Sequence, residues 1–184
     1  MKALVFNGPR DIQYETFRDP SLETNNSVIL KVERCSICGS DLHMYHGENL
    51  GKASYGGDIT PLCVGHEFAG EIVEVGSQVH RFRVGQQVLA SGGAPCGKCK
   101  NCLSGHAQRC TGWTAFGLSG AMNGGQAEFV NVPMADLTLQ PIPEGVTVEQ
   151  SILLTDAMCT AYFGLTRTNL LPGDVVAVVG LGTI

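Results

Sequence analysis

The chain has 184 residues, of which 43% are hydrophobic and 16% are charged, a composition typical of a globular protein rather than a disordered one. The formal net charge of −5 and the lack of a basic stripe argue against a nucleic-acid or membrane partner, and no apolar run is long enough to cross a bilayer. The first residues also lack the apolar segment of a signal peptide, so we expect a cytoplasmic protein whose eight cysteines are thiols or metal ligands.

Short extended segments between glycine and proline turns dominate most of the chain. β-branched and apolar runs predict strands at residues 2–6, 12–17, 27–34, 71–75, 84–90 and 126–133. The first clear helix is predicted after Thr147, which has the position of an N-cap with Gln150 three residues later, and it continues to Thr168. A buried strand and a glycine-rich loop are predicted within 173–182. The fold is therefore predicted to be mainly β over residues 1–150, followed by an α/β segment over 151–184.

The densest cysteine pattern, C-x2-C-x2-C-x7-C, is formed by Cys96, Cys99, Cys102 and Cys110. Two residues between cysteines let one turn direct both sulfurs to a common centre, and a fourth thiolate completes the tetrahedron of a structural zinc site. Lys98, Lys100 and Arg109 lie in the same segment, and we expect their charge to favour thiolates. An iron–sulfur cluster is the weaker alternative, because the usual bacterial run ends C-x3-C-P, and the expected compartment disfavours disulfides. The pattern predicts a structural zinc.

A second set of metal-ligand residue types follows the predicted strand that contains Val28–Val32. Gly39 is expected to break this strand and release the next side chains into a turn, where a rigid scaffold meets exposed chemistry. Cys38 is predicted to be the first ligand of a catalytic metal. His66 is a second candidate, and Glu67 either binds the metal or supports the site. The alternatives are a buried apolar role for the cysteine and a satisfied core position for the histidine.

Cys35 and Cys38 also form a C-x-x-C pair, which is a redox motif in other proteins. That function requires a helix N-terminus directly after the strand. The sequence Gly39-Ser40-Asp41 fits such a helix start poorly, so the redox alternative is the less favoured one.

Five motifs occur together in this chain. In chain order they are Cys38-Gly39-Ser40-Asp41-x-His43, Gly65-His66-Glu67-x2-Gly70-x5-Gly76-x2-Val79, the four cysteines, Gly124-Gly125-Gln126-Ala127-Glu128-Phe129, and the run over 173–182. This set resembles the zinc-containing alcohol dehydrogenases of the medium-chain dehydrogenase/reductase superfamily, over essentially the whole chain. The resemblance implies a GroES-like, partly open β-barrel catalytic domain at residues 1–150. The first helix and strand of a Rossmann nucleotide-binding domain would follow at 151–184.

The resemblance also implies a catalytic zinc held by Cys38, His66 and Asp156, so that each chain would carry one catalytic and one structural zinc. Asp156 stands at the start of the linking helix, where animal relatives have a cysteine, and Cys159 is the less favoured alternative three residues later. Glu67 resembles the carboxylate that can move onto the metal in this family.

Further roles follow from the same resemblance. Asp41 would orient the histidine ligand, Ser40 would accept the alcohol proton, and His43 would end a proton relay to solvent, with an ordinary surface histidine as the alternative. The substrate pocket would involve residues near Ser40, the loop 46–61, and Trp113 or Phe116, for which aromatic core packing is the alternative. The implied reaction passes a hydride between a secondary alcohol, small aldehyde or polyol and NAD or NADP.

The cofactor residues implied by the resemblance are Thr160, Gly180 and Gly182. The third glycine of the dinucleotide fingerprint would fall at position 185, and the residue that separates NAD from NADP lies further on. We therefore expect a truncated chain that binds zinc but turns over poorly, from a parent protein that forms a homodimer or homotetramer. The alternative is a non-catalytic, zinc-stabilised β module. A zinc-free quinone-reductase-like relative is disfavoured, because it would lack the Cys38/His66 pair and the four cysteines.

Overall fold

The structure is a computed structural model that describes residues 1–48, 60–118, 122–180 and 182–184. Its strands are β1 (Lys2–Gly8), β2 (Asp11–Thr16), β3 (Val28–Ser36), β4 (Leu62–Cys63), β5 (Glu67–Val75), β6 (Gln87–Ala90), β7 (Gly93–Ala94), β8 (Thr114–Ala115), β9 (Phe129–Val132) and β10 (Leu139–Pro141). Its α-helices are α1 (Gly39–His46), α2 (Lys100–Leu103), α3 (Ala135–Thr138), α4 (Val148–Ser151) and α5 (Ala157–Thr166). Short 3-10 turns cover Ala107–Arg109 and Ile152–Leu154. The predicted mainly β fold is confirmed.

The strands form three antiparallel sheets, with the orders β2-β1-β4, β10-β6-β5-β3-β9 and β7-β8. A single bridge between Ala3 and Ala127 joins the first sheet to the segment before β9. Among the described residues the sheets do not close, as expected for a partly open barrel. Within the described ranges, every helix is too short or too polar to cross a bilayer.

The main core lies on the five-stranded sheet. Val28 and Leu30 of β3 are fully buried and pack with Phe68 and Ile72 of β5. Phe116 meets Phe68 edge to face, with ring centroids 5.0 Å apart. This packing makes Phe116 a core residue, so the prediction that it lines the substrate pocket is not supported by its position.

The pairing of β3 with β5 brings two distant parts of the sequence together. Its antiparallel register sets Ser36, the last residue of β3, opposite Glu67, the first residue of β5. Cys38 and His66 therefore both leave the sheet at this one end. The β3–β5 pair is the part of the fold that positions the candidate site.

The segment after Cys38 is a helix and not the predicted turn. Cys38 is the N-cap of α1, and its backbone N–H donates a 2.9 Å hydrogen bond to Oδ2 of Asp41. This contact satisfies one of the unpaired amide groups at the helix start, which explains why a sequence beginning with glycine forms a helix here. The prediction that Gly39-Ser40-Asp41 does not start a helix is therefore wrong, because a helix N-terminus does follow the strand. The poor fit to a helix start thus no longer counts against a redox pair.

The long helix predicted over 147–168 is interrupted. Its start is confirmed: Thr147 caps α4 and exchanges hydrogen bonds with Gln150 in a capping box. The hydroxyls of Ser151 and Thr155 then donate to the carbonyls of Val148 and Ile152, both at 2.7 Å. Such local bonds compete with regular helical pairing. The chain passes through the 3-10 turn Ile152–Leu154, where the N–H of Thr155 bonds to the carbonyl of Ile152, before α5 begins.

The strand predicted within 173–182 does not form. Val175 and Val179 are 98% and 100% exposed, and no described strand pairs with this segment. A strand of a parallel sheet is stable only when neighbouring strands satisfy its backbone groups and cover its side chains. The prediction used the sequence pattern alone, and that pattern does not show whether neighbouring strands are present.

Glycines allow the segment before β9 to lie against the start of β5. A Cβ on Gly124 would overlap the backbone of Gly65, and a Cβ on Gly125 would overlap the ring of Phe68. Gly65 has a φ of +94°, and a side chain there would overlap Gln126. This close approach fixes the backbone next to His66.

Candidate functional site

Four side chains from three parts of the chain meet at the end of the β3–β5 pair. Cys38, His66, Glu67 and Asp156 each place one donor atom within 4.8 Å of the others. Oδ2 of Asp156 lies 3.7 Å from Sγ of Cys38 and 3.6 Å from Nε2 of His66. We call these four residues the mixed cluster.

Different local structures position Cys38, His66 and Asp156 of the mixed cluster. Cys38 is fixed as the N-cap of α1, and His66 precedes β5. Asp156 is the N-cap of α5, where the interruption of the predicted helix turns its backbone to a φ of −146°. Thr160 donates a 2.6 Å hydrogen bond to the other oxygen of this carboxylate, Oδ1. The helix break therefore directs Asp156 into the cluster.

Buried charge around His66 favours a cation. Nδ1 of His66 lies 3.4 Å from Oδ1 of Asp41, and neither atom has a hydrogen-bond partner among the described residues. Burial alone would lower the pKa of His66, but the Asp41 carboxylate and the Cys38 thiol raise it to about 9.

The donor set fits a divalent metal ion such as zinc. Tetrahedral Zn²⁺ with bond lengths of about 2.0–2.3 Å separates sulfur, nitrogen and oxygen ligands by about 3.3–3.5 Å. The distances of 3.6 and 3.7 Å from Asp156 are close to these values. Thiolate, imidazole and carboxylate are all ligands that zinc accepts. Asp41 stands behind His66, where a carboxylate commonly orients a histidine ligand.

The two remaining predicted catalytic residues, Ser40 and His43, have different surroundings. Oγ of Ser40 lies 3.4 Å from Nε2 of His66, so this hydroxyl borders the mixed cluster. His43 is 58% exposed along its side chain, and its Nδ1 pairs with Glu48 at 2.7 Å. Among the described residues no hydrogen bond joins His43 to Ser40. Residues 49–59 of the predicted pocket loop lie outside the described residues.

Cys159 lies close to the mixed cluster but is not part of it. Its Sγ donates to the carbonyl of Leu154 at 3.1 Å, within its own helical segment. Gly180 and Gly182 stand in the exposed terminal segment, away from strand pairing. Thr160, the third predicted cofactor residue, lines the cleft beside Asp156.

An apolar cleft opens beside Asp156. Its volume is about 540 Å³. The lining residues are Ser91, Gln108, Trp113, Thr155, Asp156, Cys159, Thr160 and Phe163. Of the two aromatic residues predicted for the pocket, only Trp113 lines this cleft. A substrate in the cleft would have apolar walls and one carboxylate of the mixed cluster at its edge.

Two residues near the mixed cluster were missed by the sequence analysis. Ser36 donates a short hydrogen bond to Oε2 of Glu67. Gln126 donates through Nε2 to the carbonyl of Ser36 at 3.2 Å. The only signal in the sequence was their position, since Ser36 stands two residues before Cys38 and Gln126 belongs to one of the five motifs.

The four-cysteine lobe has the geometry of a closed site. Its sulfurs all lie within 4.8 Å of one another. Sγ of Cys99 is 3.5 Å from Sγ of Cys102 and 3.8 Å from Sγ of Cys110. Four ligands at about 2.3 Å around a tetrahedral Zn²⁺ are about 3.8 Å apart. The donor set therefore fits zinc without rearrangement, and no further position is left open.

Backbone amides favour the thiolate form of two cysteines in the lobe. The N–H of Lys98 lowers the pKa of Cys96, and the N–H groups of Cys102 and Thr111 lower that of Cys99. Burial and the neighbouring sulfurs raise the pKa of Cys102. The effect expected from the lysine and arginine charges stays a prediction.

Comparison with known proteins places the whole chain. The model of the alcohol dehydrogenase GroES-like domain matches residues 24–144. A probable zinc-binding alcohol dehydrogenase of Mycobacterium tuberculosis is 39% identical over 185 residues, which cover 100% of this chain and 46% of the relative. Formaldehyde dismutase of Pseudomonas putida is 34% identical over 202 residues, covering 100% and 49%. The chain spans about half the length of these curated relatives.

Solved structures agree with these relatives. Alcohol dehydrogenase TADH from Thermus sp. ATN1 has a TM-score of 0.85 and 30% identity, covering 95% of this chain and 49% of that one. A short chain alcohol dehydrogenase from Escherichia coli CFT073, complexed with NADH, has a TM-score of 0.72 and 30% identity, covering 88% and 44%. A zinc-binding dehydrogenase from Sinorhizobium meliloti 1021, bound to NADP, has a TM-score of 0.73 and 28% identity, covering 91% and 45%. The chain therefore belongs to the alcohol dehydrogenase GroES-like domain family, among the zinc-containing alcohol dehydrogenases of the medium-chain superfamily.

Proposed function

We propose that this chain is the catalytic portion of a zinc-dependent oxidoreductase that transfers a hydride between an alcohol or small aldehyde and NAD or NADP. One observation carries the proposal: a thiol, an imidazole and two carboxylates converge within 4.8 Å, beside an apolar cleft. Relatives named as alcohol dehydrogenases, and similar structures that hold NADH or NADP, support the same reaction class. Secondary alcohols and polyols are the preferred substrates for a first assay.

Cys38, His66 and Asp156 would hold the catalytic zinc, with Glu67 as a further carboxylate beside it. Zn²⁺ acts as a Lewis acid that lowers the pKa of a bound hydroxyl, which is the chemistry an alcohol needs before hydride loss. Asp41 would keep the imidazole of His66 in the orientation that presents Nε2 to the metal. The cleft walls would give the carbon chain of the substrate apolar contacts.

Proton removal would begin at Ser40. Its hydroxyl is 3.4 Å from Nε2 of His66, so it lies at the edge of the metal position and within reach of a substrate oxygen. His43 is exposed and paired with Glu48, which suits a group that exchanges protons with solvent. The link between the hydroxyl and this histidine would require a bound water or a cofactor hydroxyl.

A second zinc is proposed for the lobe of Cys96, Cys99, Cys102 and Cys110, where it would be structural.

We further propose a domain boundary near residue 150, so that α5 begins the nucleotide-binding part and Thr160, Gly180 and Gly182 face the cofactor there. A cytoplasmic location stays a prediction. Assembly into a homodimer or homotetramer stays a prediction.

Metal analysis combined with cofactor binding tests the proposal. The purified chain should contain two zinc ions, and the Cys38→Ala variant should contain one and lose any hydride transfer from a panel of alcohols to NAD⁺ or NADP⁺. The Cys35→Ala variant removes an exposed cysteine outside both clusters and serves as the control. Retention of both zinc ions or of activity in Cys38→Ala would refute the assignment. Zinc in the lobe alone, without nicotinamide binding, would instead favour a non-catalytic zinc-stabilised module.

A further inference from the structure

We propose that Ser36 is a positioning residue that holds the Glu67 carboxylate off the metal and so keeps one coordination position of the mixed cluster available to substrate. The inference rests on the proposed function, because it assumes a metal held by Cys38, His66 and Asp156. Neither Ser36 nor its hydrogen bond belongs to the motifs that define the family resemblance. The evidence is the set of contacts around these two residues.

The first observation is the contact itself. Oγ of Ser36 donates a short hydrogen bond to Oε2 of Glu67, and the two residues are directly opposite each other in the β3–β5 register. Glu67 is only 6% exposed, so its carboxylate has little access to water. A hydroxyl that donates to a buried carboxylate forms a charge-assisted bond, which is stronger than one between neutral groups. Ser36 is therefore well placed to decide where this carboxylate points.

The second observation is that Ser36 is itself anchored. Its carbonyl accepts the 3.2 Å hydrogen bond from Nε2 of Gln126, a residue that is 8% exposed. The Gln126 side chain lies over Gly65, where no Cβ could be accommodated. The hydroxyl thus acts from a fixed backbone position, at the point where the segment before β9 contacts the start of β5.

The third observation concerns the number of donors. A structural zinc has four protein ligands, whereas a catalytic zinc has three and an open position. The mixed cluster contains four donor residues within 4.8 Å, so geometry alone would permit a closed site. Asp156 and Glu67 each have a further partner, but Thr160 binds Oδ1 of Asp156 and leaves Oδ2 3.6 and 3.7 Å from the imidazole and the thiol. In the described part of the chain no hydrogen bond or ion pair joins Glu67 to His66 or Cys38, and its carboxylate is bound by Ser36 instead. The hydrogen bond from the Ser36 hydroxyl would therefore decide whether the metal has three protein ligands and an open position or four protein ligands.

The consequence for a variant follows directly. Without the hydroxyl, the buried carboxylate loses its donor, and a metal ion in the mixed cluster would offer it a replacement partner. Glu67 would then coordinate permanently and block the position that an external ligand needs. The metal would be retained, but it would no longer accept a small ligand.

Imidazole binding to the cobalt-substituted chain provides the test, since cobalt reports its ligands through its visible absorption spectrum and the closed lobe does not accept a fifth ligand. The Ser36→Ala variant should bind imidazole at least about 10-fold more weakly than the unmodified chain, a loss of at least about 1.4 kcal/mol. Ser36→Thr, which keeps a hydroxyl, should bind as the unmodified chain does. Ser36→Ala/Glu67→Gln should recover the affinity of Glu67→Gln.

Ser27→Ala is the matched control, because Ser27 directly precedes β3 and lies about 30 Å from Ser36 at the strand rise. Its imidazole affinity should be unchanged. If Ser36→Ala does not fold, Gln126→Leu offers a second route, since it releases the Ser36 carbonyl and should weaken imidazole binding in the same direction.

Two results would overturn the inference. One is equal imidazole affinity in Ser36→Ala and the unmodified chain. The other is a loss of affinity that persists in the double variant with Glu67→Gln. Both require two cobalt ions per chain and leave the proposed function intact. A single cobalt ion per chain, held in the lobe, would instead refute the proposed function together with this inference.

Discussion

The two metal-donor clusters are built in opposite ways. The lobe takes all its donors from Cys96–Cys110, whereas the mixed cluster joins Cys38 to Asp156 across 118 positions of sequence. The lobe needs only two tight turns and backbone N–H groups that contact its sulfurs. The mixed cluster needs the β3–β5 register, the start of α1 and the interruption before α5. A local site can thus be specified by spacing alone, while the site for chemistry depends on the completed fold.

The clusters also differ in their environment. All four lobe donors are thiols of one type, and their geometry leaves no position open. The mixed cluster contains thiol, imidazole and carboxylate, with Ser40 and an apolar cleft at its edge. This difference separates a site that stabilises structure from one that can accept a substrate, and substitutions in each cluster should have different readouts.

The largest expected effect is the loss of a lobe ligand. Cys99→Ser should remove one zinc ion and lower the free energy of unfolding by about 3 kcal/mol or more, because the lobe has few buried side chains to replace the metal. Urea unfolding together with zinc analysis would measure both. Cys35→Ala should change neither. Unaltered stability after zinc loss would show that the lobe is held by packing.

The next effect separates the two possible third ligands. Asp156→Asn should weaken zinc binding at the mixed cluster by about 100-fold or more, since the substitution removes a ligand charge. Cys159→Ala should change the affinity by less than about twofold, because its sulfur bonds to Leu154 instead. Competition with a chromophoric chelator would give both values. The reverse order of sensitivity would exchange the roles of the two residues.

A smaller effect is expected behind the ligands. Asp41→Asn should weaken zinc binding at the mixed cluster by about 10–100-fold, because the neutral amide no longer favours the orientation and charge of His66. The same chelator competition measures this change, and the lobe should keep its zinc. Asp11→Asn removes a charge on β2 far from the cluster and serves as the control. Equal zinc affinity in Asp41→Asn and the unmodified chain would reduce Asp41 to a helix cap.

The smallest effect tests the helix that leads to Asp156. Thr147→Ala removes the side-chain half of the capping box and should cost about 1 kcal/mol of stability. Thr166→Ala, at the end of α5, is the control, because its hydroxyl bonds only to the carbonyl of Phe163. Urea unfolding monitors both. A change in lobe zinc content in Thr147→Ala would contradict the separation of the two clusters.

Much of the fold could be predicted because its signals are local. β-branched and apolar runs identified the long strands, and the Thr147 cap with Gln150 identified a helix start. The lobe followed from cysteine spacing. What could not be predicted depends on contacts between distant segments: Ser36 meets Glu67 through strand register, and Trp113 lines one cleft with Phe163 of α5.

The wrong predictions have the same physical origin. The helix at Gly39–His46 forms because Asp41 returns to the Cys38 amide, a contact that weak helix propensity does not reveal. The helix over 147–168 is interrupted where the N–H of Thr155 bonds to the carbonyl of Ile152, three residues back instead of four. The strand within 173–182 needs partners in a sheet. In each case a specific hydrogen bond, or its absence among the described residues, overrides an average preference.

The glycines near His66 limit how this protein can be redesigned. Positions 65, 124 and 125 carry no reactive group, yet a saturation library should tolerate exchange there as poorly as at a ligand, since any larger side chain collides with neighbouring atoms. Trp113 and Phe163 border the cleft with one side toward solvent. Efforts to broaden the range of accepted substrates should therefore vary the residues of that wall and keep Gly65, Gly124 and Gly125.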